Sequence, residues 1–500
     1  MSISERTERI RQEYLNNKPS ISCLRAEIWT KSHKETEGEP ICIRRAKAFA
    51  EACDQLPALI FPDELIVGTA GEFRRTAILT PEFSWMWVDK EMDAFDQRPQ
   101  DPYVITEEQR NFLREEVWPY WKGNSLEEAF LKRIPGETAK LLVDTGILDN
   151  DSKWRQAVGE ITPDYQDVLF PKGFRKIREE AKIRREALKA DSISNIEKIE
   201  FYESVIIACD GIMRLAKRYS DAAKSLAASE KDEGRKEELL AIARICSRVP
   251  ADPPRTFHEA CQYVWFVQLG GIISENPLAL NLGRFDQYMY PFYEADVRAG
   301  RLDRKKTQEL VECLWLKLSE WVWTISSNTA NYFAGYNQFQ NLTVGGRKRD
   351  GSDGTNELSY ICLKATESVR THQPGLSVRI HPDSPDEFLM AVAELVSKGL
   401  GFPAIHSDRA GYEMLLQMGY DPEDARDWSN CGCVVPHFRK TGEWTSAVNV
   451  NFGAALEYAL NQGKSRLSGK PMGLPEKPIE EFAHFEEVKE AFFRQLSNLI

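Results

Sequence analysis

Apolar positions recur at helical spacing through much of the first 320 residues. Ile41–Cys53, Glu200–Leu215, Lys236–Cys246 and the Leu- and Trp-rich Thr307–Trp323 each read as a helix, because apolar residues three and four apart make one stripe that needs burying. Four shorter apolar runs, Ala58–Ile60, Glu64–Gly68, Asn341–Gly345 and Leu376–His381, are bounded by Pro, Gly or Asp and read as strands. From about Asn341 the order becomes strand, long helix, strand, which predicts parallel α/β packing. Phe482–Ile500 passes from charged to apolar at helical spacing without a stop signal. The expectation is therefore a partial polypeptide whose domain continues.

The 500 residues are 42% hydrophobic and 28% charged, as in a soluble globular protein. Length alone would divide them into about three domains, although a single large α/β barrel absorbs several hundred residues. A net charge of −12 and a pI near 5.4 give no basic footprint for nucleic acid or an anionic membrane. The basic run Arg175–Arg185 is interleaved with acids and reads as a solvated helix face. Met1–Asn17 is charged throughout, so no signal peptide is read there. No apolar stretch reaches the roughly 18 residues that span a bilayer. Ten cysteines are scattered singly, apart from Cys431 and Cys433, the pattern of reduced core thiols in a cytoplasmic protein.

Several common motifs are missing. There is no Walker A loop, no Gly-x-Gly-x-x-Gly after a strand and no Gly-x-Ser-x-Gly elbow. His258-Glu259 begins like a zinc helix but lacks the second histidine. What stands out is Asn430-Cys431-Gly432-Cys433-Val434-Val435-Pro436-His437. Gly432 frees the backbone to turn and Pro436 stiffens the exit, so Cys433 can project into a cavity. Spacing alone leaves a buried structural thiol, half a metal site with His437, a thiolate nucleophile and a radical carrier all open.

Gly432-Cys433-Val434-Val435-Pro436 resembles the Gly-Cys-Val-Glu-Pro loop of glycyl radical diol dehydratases and choline lyase, in the pyruvate formate-lyase-like family. Further segments resemble that family in order along nearly the whole chain. They are Thr36–Pro40 leading to Arg44–Ala48, Asp63–Gly68, Thr162–Tyr165, Arg255–Ala260, Gly283–Tyr288, Asn341–Gly346 and Gln373–Arg379. The resemblance implies a ten-stranded α/β barrel of two five-stranded half-barrels wrapped by helices, incomplete at the carboxyl end, with residues 1–500 forming one catalytic domain. It implies that Cys433 carries a thiyl radical that takes a hydrogen atom from a small organic substrate. The radical would be stored on a glycine, installed by a radical S-adenosylmethionine activase; no other bound cofactor and no metal is expected, and a homo-oligomer is. Barrel closure suits this chemistry by excluding water and oxygen, and the thiol must be positioned against one C–H bond.

The chain departs from the family at several points. No Arg-Val-x-Gly-Tyr motif follows Cys433; Phe333-Ala334-Gly335-Tyr336 and Ala410-Gly411-Tyr412 are echoes that precede it. The glycyl radical domain is thus expected outside these residues. Val435 stands where dehydratases carry a glutamate general base, leaving His437 and Glu443 as nearby substitutes. Pro277, Leu278 and Leu280 make Glu275–Asn281 more apolar than in diol-using relatives, and Glu160 stands where a histidine is frequent. Arg284 and Asp286 frame the cavity or form an ion pair, while His372, Gln373, Arg379 and His406 lie at strand ends, where barrel enzymes place substrate groups. The expected activity is a radical lyase or dehydratase. Carbon–carbon chemistry (fumarate addition, arylacetate decarboxylation, formate C-acetyltransfer) and a non-catalytic thiol or metal scaffold are the alternatives. Formate C-acetyltransfer is disfavoured because Gly432 separates the two cysteines.

Overall fold

The structure, a computed structural model, describes residues 3–136, 148–149, 157–331, 333–336, 338–439, 449–466 and 468–499, with backbone alone at 148–149, 157–160 and 449–450. Its strands are β1 (Ser20–Ser22), β2 (Thr76–Ile78), β3 (Leu148–Asp149), β4 (Ala157–Ile161), β5 (Pro277–Leu280), β6 (Leu342–Gly345), β7 (Leu376–Ile380), β8 (Ala404–Ser407), β9 (Ser429–Cys431), β10 (Val435–His437) and β11 (Asn449–Val450). The formal sheets are small, but their pairings run on from one to the next.

β4 pairs with β5 in parallel, Ile161 opposite Leu280. Parallel bridges Ala279–Phe339 and Gly283–Leu342 carry β5 onto the segment entering β6. β6, β7 and β8 then pair in parallel, with Thr343 opposite Ser377 and Ser377 opposite Ala404. The result is an arc of five parallel members. A second parallel group joins β1, β2 and the bridging residues Val104 and Val322.

Alternation along a strand sends successive side chains to opposite faces. Leu342, Val344, Leu376 and Val378 join the main buried cluster on the outer face. Asn341, Thr343, Ser377 and Arg379 therefore share the other face. The helix Phe257–Glu275 backs the arc and is buried nearly all round. Leu280 packs so closely on Gly271 that a Cβ there would lie 2.5 Å from Leu280 Cδ2.

Three sequence-based expectations are met at Ile41–Gln55, Glu233–Arg248 and Phe485–Leu499, all helical, and Glu200–Leu215 falls within one long helix, Ile193–Ser229. Two are corrected. Ala58–Ile60 and Glu64–Gly68 form no strand; in the second segment side chains satisfy the backbone, Gln262 bonding both the N–H and the C=O of Val67 and Trp265 donating to Gly68 O. The helix expected over Thr307–Trp323 stops at Ser319. Its continuation is rich in aromatic and β-branched residues, which fit an extended pleated path, and Val322 bridges Ala77. Among the described residues no helix is long and apolar enough to cross a membrane.

Candidate active site: the Cys433 hairpin

β9 and β10 form an antiparallel hairpin, with Ser429 opposite His437 and Cys431 opposite Val435. Gly432, Cys433 and Val434 make its turn. Gly432 has φ +59°, a left-handed conformation in which a side chain is strained. Cys431 is buried and Cys433 exposed at the tip, so the two thiols face different surroundings.

The hairpin lies on the polar inner face of the arc and is read off in steps of two residues. Arg379 Nη1 donates to Trp428 O. Asn430 N donates to Thr343 Oγ1 at 3.1 Å, and Asn430 Nδ2 to Ser377 Oγ at 2.8 Å. Gly432 N donates to Asn281 Oδ1 at 3.1 Å, and Asn281 is tied to the level of Asn341 through Leu282 N–Asn341 O at 2.7 Å. As β9 advances from 428 to 432, its partners retreat from 379 through 377 and 343 to 341. The hairpin therefore enters at the carboxyl ends of the parallel strands and points Cys433 towards their amino ends. Asn281 also donates to Cys431 Sγ at 3.2 Å, which fixes both ends of the Cys431–Gly432 unit.

Three arginines hold the hairpin's root. Arg379, fully buried, spans Asp408 and the carbonyls of Arg426 and Trp428, and lies 4.4 Å over the Trp428 ring. Burial, with Arg284 adding and Asp408 opposing, brings its pKa down to about 9. Arg284 reaches Asp427 at 3.1 Å and the carbonyls of Gly345 and Arg347 at 2.7 and 3.0 Å. Arg439, just past the hairpin, grips Asp427, Asp164 and Asp167. Burial works against its charge, but the three carboxylates outweigh this and raise its pKa.

The sequence candidates scatter over this frame. Arg284 and Asp286 make no direct ion pair among the described contacts; Asp286 accepts from Gly345 N and Ser359 Oγ, and burial raises its pKa. Arg379 and Arg284 spend their donors on protein groups rather than facing a cavity. His372 and Gln373 precede β7 at its amino end: His372 meets Tyr14 OH at 3.2 Å, and Gln373 donates to Gln338 O. Burial, with Arg75 adding, pushes His372 down to about 4. His406 stands on β8 at the level of Arg379, its ring edge-on to Trp428, and burial lowers its pKa. His437 is buried on β10. Glu443 and the Glu160 side chain lie outside the described residues. Of the two glycine echoes, Gly411 sits in the helix Asp408–Gln417 where a Cβ would be 2.3 Å from Trp428, and Gly335 N donates to Asp101. Leu280 packs behind the wall, while Leu278 joins the cluster of Trp323 and Ile325.

Sequence reasoning missed Asn281, Asn430, Trp428, Asp427, Asp408 and Arg439. Asn281 lies two residues before Gly283-Arg284, so a polar residue directly after an apolar strand was the available signal. The others needed the fold.

The pyruvate formate lyase-like family model matches residues 1–500, and the chain belongs to that family, the glycyl radical enzymes. It is 35% identical over 503 residues to the isethionate sulfite-lyase of Nitratidesulfovibrio vulgaris, covering 98% of this chain and 60% of that protein. Among solved structures it superimposes on a B12-independent glycerol dehydratase from Clostridium butyricum with TM-score 0.94 and 36% identity, over 100% of this chain and 63% of that one. A glycyl radical enzyme from Archaeoglobus fulgidus gives TM-score 0.90 and 33% identity, over 99% and 63%. The chain thus spans about three fifths of the length of these relatives.

Proposed function

We propose that these residues are the thiol-bearing part of a glycyl radical lyase or dehydratase, with Cys433 as the hydrogen-abstracting residue. The observation that carries this is the exposed thiol at the tip of a hairpin locked by Asn281, Thr343 and Ser377 and aimed along the inner face of a five-member parallel arc. That arc is read as one half of a ten-stranded barrel. The exposed tip leaves room for a second loop to reach Sγ, as a glycine-borne radical requires. A glycyl radical, set by a radical S-adenosylmethionine activase on a glycine outside these residues, supplies the unpaired electron.

Cys433 gives up the hydrogen of its S–H bond to the α-carbon of that glycine, restoring its C–H bond, and its sulfur then takes a hydrogen atom from a substrate C–H, restoring S–H and leaving a carbon radical. The hairpin's part is positional: Asn281, by holding the residue before Cys433, limits where Sγ can go. Elimination of the group beside the carbon radical follows in a lyase. The names of the relatives, a sulfite-lyase and a glycerol dehydratase, support cleavage of a C–S or C–O bond in a small molecule. We further infer a cytoplasmic homo-oligomer.

A second reading, carbon–carbon chemistry, is favoured by one observation. Val435 cannot move a proton, and Asp164, Asp408 and Asp427 at the hairpin root are each engaged by an arginine. The test uses the full-length protein activated anaerobically. Electron paramagnetic resonance should show a glycyl doublet, and Cys433→Ala should keep the doublet while abolishing turnover. Turnover by Cys433→Ala at the wild-type rate refutes the assignment.

A further inference from the structure

We propose that a cavity beside the hairpin root is a binding site for a small aromatic carboxylate, separate from the place where Cys433 stands. The cavity has a volume of about 680 Å³, within the range of small-molecule sites. Its walls come from three segments distant in sequence: the start of the helix Phe170–Glu186, the stretch 287–292 that enters the helix Tyr290–Arg298, and the loop 348–356. Asp427, at the hairpin root, lines it as well. An extended chain rises about 3.3 Å per residue, so the hairpin sets Cys433 on the order of 15 Å from Asp427. A ligand held here does not touch the thiol.

The apolar part of the wall is preformed. Phe170 and Tyr288 are buried with ring centroids 5.6 Å apart, and Phe292 stands edge-on to Phe170 at 5.3 Å. Tyr288 OH donates to Leu282 O at 2.8 Å, which ties this aromatic set to the arc. Such edges and faces receive a flat ring. Several polar groups of the lining are already committed to the protein. Gln287 donates to Gly354 O, Asn356 to Asp286 O and Arg349 to Asp424, while Asp427 is held between Arg284 and Arg439. Three others are not. The Gln166 amide and the Tyr290 hydroxyl make no hydrogen bond among the described residues. The Asp350 carboxyl, held low mainly by its bonds from Ser352, also feels the Lys348 ammonium, which makes no direct ion pair among the described residues. The Lys348 main chain is pinned in a turn, its N–H on Ser352 O at 2.8 Å and its C=O accepting from Gly351 N at 3.0 Å. Amide, hydroxyl and ammonium are all donors, and the one uncommitted charge is positive. An aromatic body fits the rings, and a carboxylate on it fits the donors.

The experiment is isothermal titration calorimetry on full-length, non-activated protein with 2-naphthoate, 2-naphthylmethanol and acetate as probes. Naphthoate should bind about 100-fold more tightly than acetate, through burial of its rings, and about 5-fold more tightly than naphthylmethanol, through its charge. Lys348→Gln, a change at an exposed side chain, should bring naphthoate and naphthylmethanol within about 2-fold of each other. Phe292→Ser, checked by thermal melting to be folded, should weaken both aromatic probes by about 10-fold. Saturating naphthoate should leave the iodoacetamide alkylation rate of Cys433, followed by mass spectrometry of its peptide, within about 2-fold of the rate without it, since the thiol lies at the other end of the hairpin. Absence of naphthoate binding, a naphthoate affinity unchanged by Lys348→Gln, or protection of Cys433 by naphthoate overturns the proposal.

Discussion

Two buried charge clusters in this protein use similar residues for different ends. Around the hairpin root, Arg284 and Arg379 give most of their donors to backbone carbonyls of Gly345, Arg347, Arg426 and Trp428. Beside the parallel group of β1 and β2, Arg74 and Lys317 give theirs to the carboxylates of Glu64 and Glu320. The second cluster ties the loop containing Glu64 to the helix Arg304–Ser319, side chain to side chain. The first dictates the path of a backbone. Arginine suits that task because its planar fork offers five donors in fixed directions. A loop that must hold a reacting thiol is thus gripped by its main chain, whereas a scaffold joint needs only charge pairing.

The sharpest way to break this comparison is to remove one cation from each cluster. Arg379→Met leaves the buried Asp408 without its cation, and Lys317→Met leaves Glu64 and Glu320 to share Arg74, so each should lower unfolding stability by about 3–5 kcal/mol in denaturant titrations. Only Arg379→Met should also change the iodoacetamide rate of Cys433 in protein that is still folded. An equal change in both variants would remove the distinction.

A buried group kept neutral provides the next test. Burial and Arg75 push His372 down to about 4, against about 6.5 in the unfolded chain. Folding therefore favours the neutral ring: its contribution is complete above pH 6.5 and is lost as pH falls towards 4. That amounts to about 3 kcal/mol. His372→Phe should flatten the pH dependence of the unfolding midpoint across this window; an unchanged slope would assign it to other groups.

Asn281 belongs to the hairpin, and its expected effect is smaller than that of either cluster. Asn281→Ala removes the acceptor of Gly432 N–H and should cost about 1–3 kcal/mol. It should also accelerate hydrogen exchange at Gly432. Asn281→Asp keeps the acceptor oxygen and should retain more of the amide's protection; if both variants exchange alike, the bond to Gly432 is not what holds the tip. The smallest effect belongs to the solvated pair Lys217–Asp221, whose side chains are 57% and 56% exposed. Lys217→Ala should shift stability by no more than about 0.5 kcal/mol, measured by thermal melts at low and high salt.

Much of the fold was legible from periodicity. Strands at Asn341–Gly345 and Leu376–His381 with a helix between them followed from local pattern, because each element buries one face and its residues show which. Ala58–Ile60 and Glu64–Gly68 were not legible. An extended apolar segment reads the same whether its backbone is satisfied by a neighbouring strand or, as at Val67 and Gly68, by Gln262 and Trp265 nearly 200 positions away. Arg284, Arg379 and His372 were visible as polar residues near strand ends, but chemistry alone could not say whether each faced a substrate or a carbonyl.

For Cys433, the Gly–Cys turn and the ordered family segments were written in the sequence. So was the loss of the carboxylate at Val435, because these depend on which residues stand next to one another. The direction in which the hairpin points and the Asn281 lock were decided by tertiary structure alone. Each depends on contacts between segments up to about 150 residues apart, and chain neighbours carry no record of which strand will lie beside them.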